Sequence, residues 1–419
     1  MSPNDPVPES ILRYRPFVLY WNARVFTAIA SQMLSVAVAW QMYALTGNPF
    51  DLGLVGLVQF LPSTVLILIA GQFADRYDRR RILQICQGIE GVAAASLAYA
   101  TFTGAISKDF ILLAVFFLGA ARAFEAPTML SLLPAIVPAP LFPRAVAASS
   151  TAQQAATIGG PAIGGVLYLI SPTSVYVLCF ALYILAAAQL TFVHIQSAAA
   201  TGRPPMSFNT LFAGVSFIRH NPIVLGVISL DLFAVLLGGA TALLPIFAKD
   251  VFDVGPSGLG LLRAAPAVGA ISMMVMLAHW PLTRRVGKIE FVAVGMFGLA
   301  TIVFGLSTWF WLSIAALALM GAADAISVVV RLTFVQLETP DSMRGRVSAV
   351  NSLFVNMSNQ LGDFRAGIAA DLIGAIPAVL FGGIGTLLVV ALGIKLFPEL
   401  YHREQFTIEG HGSGEYRKN

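Results

Sequence analysis

Charge is what this sequence has least of. Lys, Arg, Asp and Glu make up 11% of its 419 residues, against roughly 25% in a soluble globular chain. With 57% hydrophobic residues and a mean hydropathy of +0.80, the chain as a whole is excluded from water and reads as a polytopic membrane protein. Cysteine is scarce too. Cys86 and Cys179 both fall inside apolar runs, which excludes a disulfide framework and leaves two packing thiols. No Gly-x-x-x-x-Gly-Lys-Ser/Thr loop occurs, so ATP is not the expected energy source. No apolar run carries a nucleophile with its base and orienting group, so an enzyme is not expected. The N-terminus, with Asp5 and Glu9, lacks the basic, apolar and small-residue layout of a cleavable signal. The net charge of +4 and pI near 9.1 do not point to nucleic acid, because the positive charge follows the membrane topology.

What the chain has in abundance is apolar runs of about 20 residues, enough to cross a bilayer core as a helix. Hydropathy places twelve: 17–46, 51–74, 82–103, 109–136, 145–170, 173–195, 222–248, 257–282, 289–307, 309–336, 346–372 and 375–397. Connections are short except at 196–221, where Arg203-Pro204-Pro205 stops a helix. Phe208, Leu211, Phe212, Val215 and Ile218 then recur near helical spacing behind Ser207, a candidate N-cap. An amphipathic helix on the membrane face is expected there, joining a six-helix half at 1–195 to one at 222–397, with a tail at 398–419. Of 25 Lys and Arg, 17 lie on the side of the loop at 71–81, two (Lys108 and Lys249) lie opposite, and six fall inside spans. That split predicts cytoplasmic N- and C-termini. At an offset of 202, Gly119 matches Gly321, Pro138 matches Pro340, Arg144 matches Arg346, Ser150 matches Ser352, Gly160 matches Gly362 and Gly165 matches Gly367. One constant offset across spans 4–5 and 10–11 points to duplication, as in secondary transporters.

Between the second and third spans stands Gly71-Gln72-Phe73-Ala74-Asp75-Arg76-Tyr77-Asp78-Arg79-Arg80-Arg81. Gly71, Asp75, Arg76, Arg79 and Arg80 resemble the loop-2–3 signature of the major facilitator superfamily, Gly-x-x-x-Asp-Arg/Lys-x-Gly-Arg-Arg, with Asp78 where that pattern has Gly. The resemblance implies an all-α membrane protein of twelve transmembrane helices in two pseudo-symmetric six-helix bundles. It also implies that Asp75 caps the start of span 11, with Arg346 at hand, and latches the cytoplasmic side. Span 5 carries Gly160, Pro161, Gly164 and Gly165, similar to the Gly-Pro-x-x-Gly-Gly motif of the superfamily's proton-coupled exporters; ordinary small-residue packing is the other reading. Asp231–Ala234, Ala242–Pro245, Gly260–Pro266 and Asn359–Gly367 resemble the transmembrane secretion effector branch, which includes the enterobactin exporters.

Ionisable groups within hydrocarbon cost at least about 2.5–3.5 kcal/mol each and mark function. They concentrate on Arg24 (span 1), Arg122 and Glu125 (span 4), Asp231 (span 7), and Asp324 and Arg331 (span 10); the resemblance implies that these four helices line a central cavity. Arg122 and Glu125, spaced i, i+3, can touch, either as substrate anchor and proton carrier or as a structural ion pair. Asp231, Asp324 and Asp363 are further proton-site candidates. Arg24 either faces the cavity or snorkels. Arg331 is a cavity, gate or interface residue, and Arg263 and Arg365 complete the cationic set. Phe26, Trp40, Phe124 and Phe233 are candidates for holding apolar parts of a substrate. The expected function is a monomeric, proton-driven exporter of a small amphipathic molecule in a bacterial inner membrane, with no cofactor. An importer of a metal chelate or small acid, or a lipid flippase, are the alternatives.

Overall fold

The computed structural model describes residues 11–193 and 208–406; a few side chains inside its helices, those of Gly71, Asp75 and Arg76 among them, lie outside the described set. Helices follow one another along the chain: α1 (Arg15–Thr46), α2 (Pro49–Arg76), α3 (Arg79–Phe102), α4 (Lys108–Ile136), α5 (Phe142–Ile170), α6 (Pro172–Thr191), α7 (Phe208–His220), α8 (Pro222–Gly238), the single turn α9 (Leu244–Ile246), α10 (Gly255–His279), α11 (Val286–Leu306), α12 (Phe310–Leu337), α13 (Asp341–Ile373), α14 (Ala375–Leu396) and the short α15 (Pro398–Tyr401). No strand occurs among the described residues.

Every segment expected to span has a helix. Among the described residues, ten are long and apolar enough to cross a membrane. The two that are not counted, α5 and α13, are 29 and 33 residues long. Their hydropathy is lowered by Ser149-Ser150-Thr151-Ala152-Gln153-Gln154 in the one and Asn356, Asn359, Gln360, Asp363 and Arg365 in the other.

One expected span is interrupted. Hydropathy predicts a continuous helix over 222–248, but α8 stops at Gly238, and the chain passes through Gly239 and Ala240 into a 3₁₀ turn (Thr241–Leu243), α9 and a π turn (Phe247–Val251). Two adjacent glycines weaken a helix interior and Pro245 brings no N–H. The freed helix end is closed from α13: Arg365 donates to the carbonyls of Leu236 (3.0 Å) and Leu237 (2.6 Å), the positions that a helix terminus leaves without partners.

Packing divides the chain into two compact units, one comprising 1–206 and 241–264, the other 207–240 and 265–419. In the first, α1 packs on α5 and α6, α2 on α4, and α3 on α4 and α6. In the second, α11 packs on α12 and α14, and α8 on α13 and α14. The internal duplication shows in the packing. A Cβ on Gly119 of α4 would lie 2.2 Å from the Gln59 carbonyl oxygen of α2, and one on Gly321 of α12 would lie 1.9 Å from the Pro266 carbonyl oxygen of α10. The two glycines that match at the 202 offset therefore do the same job, one in each unit, letting helix backbones touch.

A helix occupies Phe208–His220 and packs, within the second unit, on α13; the cap candidate Ser207 lies outside the described residues. Gly214 fits against the Arg346 carbonyl and Val350, Ile218 is buried, and Phe212 is exposed. The start of the expected tail is also docked on this unit. Leu400 is fully buried, Arg403 pairs with Glu338 at 3.0 Å, and Phe406 stacks near Phe334.

Candidate functional site

In the first unit, polar residues of α1, α4 and α5 converge on a cavity of about 400 Å³ lined by Arg24, Thr27, Ser31, Arg122, Glu125 and Gln153 among others. These positions lie on α1 and α4 at helical spacing (24, 27, 31 and 122, 125), so each helix turns one polar face to the same space. Arg122 donates through Nη2 to Ser31 Oγ at 2.6 Å. Arg24 donates to the Tyr20 hydroxyl at 3.2 Å, which donates in turn to the Met129 carbonyl. Among the described residues neither arginine has a carboxylate within ion-pairing distance. The contact expected between Arg122 and Glu125 is therefore replaced by a bond across to α1. Arg263 makes the same kind of bond one turn further along, donating to Ser35 Oγ at 2.5 Å.

Behind this cavity lies a carboxylate that the sequence reading passed over. Glu90 of α3 is fully buried, neither of its oxygens has a hydrogen-bond partner among the described residues, and it lies within electrostatic reach of Glu125 and Arg122. Gln87, one turn before it, donates to Thr27 of the cavity wall at 3.1 Å. A single acid inside the run at 82–103 was the available signal.

In the second unit, Asp231 of α8 and Arg331 of α12 form an ion pair at 2.6 Å with both side chains about 5% exposed. This pairing commits Arg331 to a carboxylate in place of open cavity wall. Asp231, Asp324 and Ser327 line a small cavity of about 10 Å³, room for about one water. Glu290 of α11, also passed over in the sequence, accepts from Ser327 Oγ at 2.6 Å and is fully buried.

The remaining predicted residues are spread more widely. Phe26 packs on the core around Phe17, Tyr20 and Leu190. Phe124 packs on Ile82, Cys86 and Ala121, with its ring edge-on to Phe73 at 5.8 Å. Trp40 is half-buried and Phe233 is exposed; none of the four aromatics lines the arginine cavity. Arg365 is spent on the end of α8, and Asp363, two residues earlier, is half-buried. The small-residue motif of α5 is a close-packed seam. A Cβ on Gly160 would lie 2.5 Å from Gln32 Cβ, Gly164 abuts Met33, and Gly165 and the Pro161 carbonyl meet the start of α10 at Pro256–Gly260.

Of the expected latch, the side chains of Gly71, Asp75 and Arg76 lie outside the described residues. Arg79 donates to the Ser131 carbonyl (3.1 Å) near the end of α4, and Arg80 to the Val193 carbonyl (2.9 Å) just past α6. Asp78 caps α3 by accepting from Arg80 N (2.9 Å) and pairs with the Arg80 guanidinium (3.1 Å). Partial burial pushes its carboxyl up, but the two bonds from Arg80 outweigh that and hold it below the usual range. Arg346 is half-buried, its Nη1 3.5 Å from Met343 Sδ.

An apolar groove of about 560 Å³ between α3 and α4, walled by Ile85, Ile89, Val92, Phe110, Leu113 and Phe117, carries one hydroxyl, Ser96, and no charge.

Comparison with known proteins agrees with this architecture. Residues 8–407 match the family described as transmembrane secretion effector. Curated relatives include the enterobactin exporter EntS of Shigella dysenteriae serotype 1 (strain Sd197), 27% identical over 94% of this chain and 95% of that protein. The enterobactin exporter EntS of Citrobacter koseri (strain ATCC BAA-895 / CDC 4225-83 / SGSC4696) is 29% identical over 90% and 88%. Among solved structures, a bacterial homologue of the iron transporter ferroportin superposes with a TM-score of 0.71 at 14% identity, covering 94% of this chain and all of that one. A bacterial homologue of the lysosomal transporter Spinster gives 0.70 at 14% identity, over 94% and 97%. The all-helical order, the paired close approaches and the match over nearly the whole length lead to one assignment: the chain is a multi-pass membrane transporter of the major facilitator fold and belongs to the transmembrane secretion effector family.

Proposed function

We propose that this transporter is a proton-coupled exporter of a small amphipathic molecule bearing an anionic group, working by alternating access across a bacterial inner membrane, with both termini cytoplasmic. The observation that carries the reading is the arginine cavity of the first unit. Arg24 and Arg122 face a space of about 400 Å³, and neither has a carboxylate partner among the described residues. Placing cations in a membrane interior is costly unless something compensates them. An anionic ligand group is a fitting occupant, and guanidinium groups hold such groups in a fixed fork. Support for export comes from the names of the curated relatives and from the motif at Gly160–Gly165. Glu125 stands in the same cavity, where a bound anion on Arg122 and a proton on the carboxylate influence each other. Asp231, Asp324 and Asp363 are the other proton-site candidates.

The test uses proteoliposomes of the purified protein with enterobactin as the first probe. The account expects enterobactin to move against an oppositely directed proton gradient, and the movement to stop when a protonophore collapses that gradient. Movement indifferent to the gradient would overturn the coupling, and movement in the same direction as the protons would favour an importer.

A further inference from the structure

The two units differ in how their buried charges balance. In the first, Arg24 and Arg122 have no carboxylate within ion-pairing distance among the described residues, and Glu90 and Glu125 stand further off, within electrostatic reach only. In the second, three acids, Asp231, Asp324 and Glu290, share one cation, Arg331, which is committed to Asp231 at 2.6 Å. The groups in electrostatic reach of Glu290 are Asp231 of α8 and Asp324 and Arg331 of α12, besides the bonded Ser327 hydroxyl. The nearest base on its own helix, Lys288, sits over the Tyr401 ring at 5.8 Å. Asp324, half-buried, and Glu290, fully buried, therefore lack a counter-charge within ion-pairing distance among the described residues. An isolated buried anion is expensive enough that the group neutralises instead.

Glu290 is the more enclosed of the two. It is 0% exposed, and its Oε2 has no hydrogen-bond partner among the described residues. Its Oε1 accepts from Ser327 Oγ at 2.6 Å. Ser327 also lines the small cavity shared by Asp231 and Asp324, so one hydroxyl touches both the buried carboxylate and the space beside Asp324.

From this geometry we propose that Glu290 is a proton-binding site, loaded through Ser327 from the Asp324-lined cavity. The step balances simply. A protonated donor in the cavity, Asp324 in its acid form or a hydronium, gives a proton to Ser327 Oγ and is left as carboxylate or water, while Ser327 gives its own proton to Glu290. One proton moves inward, the serine is regenerated, and the carboxylate becomes a neutral acid. That this proton is a coupling proton rests on the transport reading above; that the carboxyl holds it does not.

Infrared difference spectroscopy on the full-length protein in lipid nanodiscs tests the assignment near neutral pH. A protonated carboxyl has a C=O band that a carboxylate lacks. Glu290→Gln should lose one such band, Glu290→Asp should keep one, and Ser327→Ala, with Glu290 intact, should shift it because the hydrogen bond between Ser327 Oγ and Oε1 is gone. Transfer to deuterated buffer should shift the wild-type band quickly and the Ser327→Ala band more slowly by roughly a hundredfold, the low end of what a positioned proton-transfer group contributes. A wild-type spectrum from which Glu290→Gln removes no band overturns the proposal. Should Glu290→Gln not fold, a Ser327→Ala band at the wild-type position overturns it equally. Gradient-independent enterobactin movement by the wild type would sink the coupled-transport reading while leaving the infrared outcome to decide Glu290 on its own.

Discussion

Single residues here are organised by the cost of charge in a place without water. Asp231 and Arg331 show the cost most directly, since each is about 5% exposed and each satisfies the other. Arg331→Leu strands a buried carboxylate and should destabilise the protein by about 3–5 kcal/mol, the usual penalty for breaking such a pair from one side. Adding Asp231→Asn should restore most of that loss in a thermal melt in detergent. Asp78 shows the same principle at the edge of the water. Its carboxyl is held low by Arg80, so the stability it lends is complete above the ordinary Asp range and fades as pH falls through the lowered value. Wild type and Asp78→Asn should therefore melt apart at neutral pH and converge in acid. Asp78 also explains a departure from the family pattern: the position that elsewhere holds Gly here caps α3. The intramembrane charges were legible in the sequence because each interrupts an apolar run. Their partners were not, because the serines that receive Arg122 and Arg263 sit on α1, and nothing in local spacing announces a bond across helices.

At the scale of helices, the order and bounds of the elements follow hydropathy closely, since a run of about 20 apolar residues has few options in a bilayer. The break in α8 escaped that reading. Gly238-Gly239 and Pro245 lie in a stretch whose hydropathy is high throughout, and hydropathy does not weigh backbone propensity. The repeated glycines were legible as matches at a fixed offset, and the packing gives them a physical purpose. Gly119→Val and Gly321→Val should each force apart two helix backbones that now touch, α4 from α2 and α12 from α10. Each should cost about 1–3 kcal/mol, the usual range for overpacking, read as a lower melting temperature. Gly159→Val is the control, because nothing lies within 4 Å of its Cβ position. Glu90 and Glu290, on α3 and α11, are single acids in apolar runs with no charged partner at helical spacing to mark them. Full burial, not sequence position, is what distinguishes them.

For the molecule as a whole, the family and the fold of a membrane transporter were readable from composition, the loop at 71–81 and the repeat. Composition could not show that the two units divide their chemistry: an open, arginine-rich cavity in the first and a closed, acid-rich cluster in the second. In this account the first holds the substrate's anionic group beside Glu125, and the second binds a proton at Glu290. The most direct test is the affinity of the purified transporter for enterobactin, measured by calorimetry for wild type and Arg122→Gln at one pH. Hydrogen bonds to charged groups contribute about 1.5–3 kcal/mol, so the account predicts a Kd weakened by about tenfold to a hundredfold with the fold intact by thermal melt. An Arg122→Gln variant that binds enterobactin as tightly as wild type would contradict it.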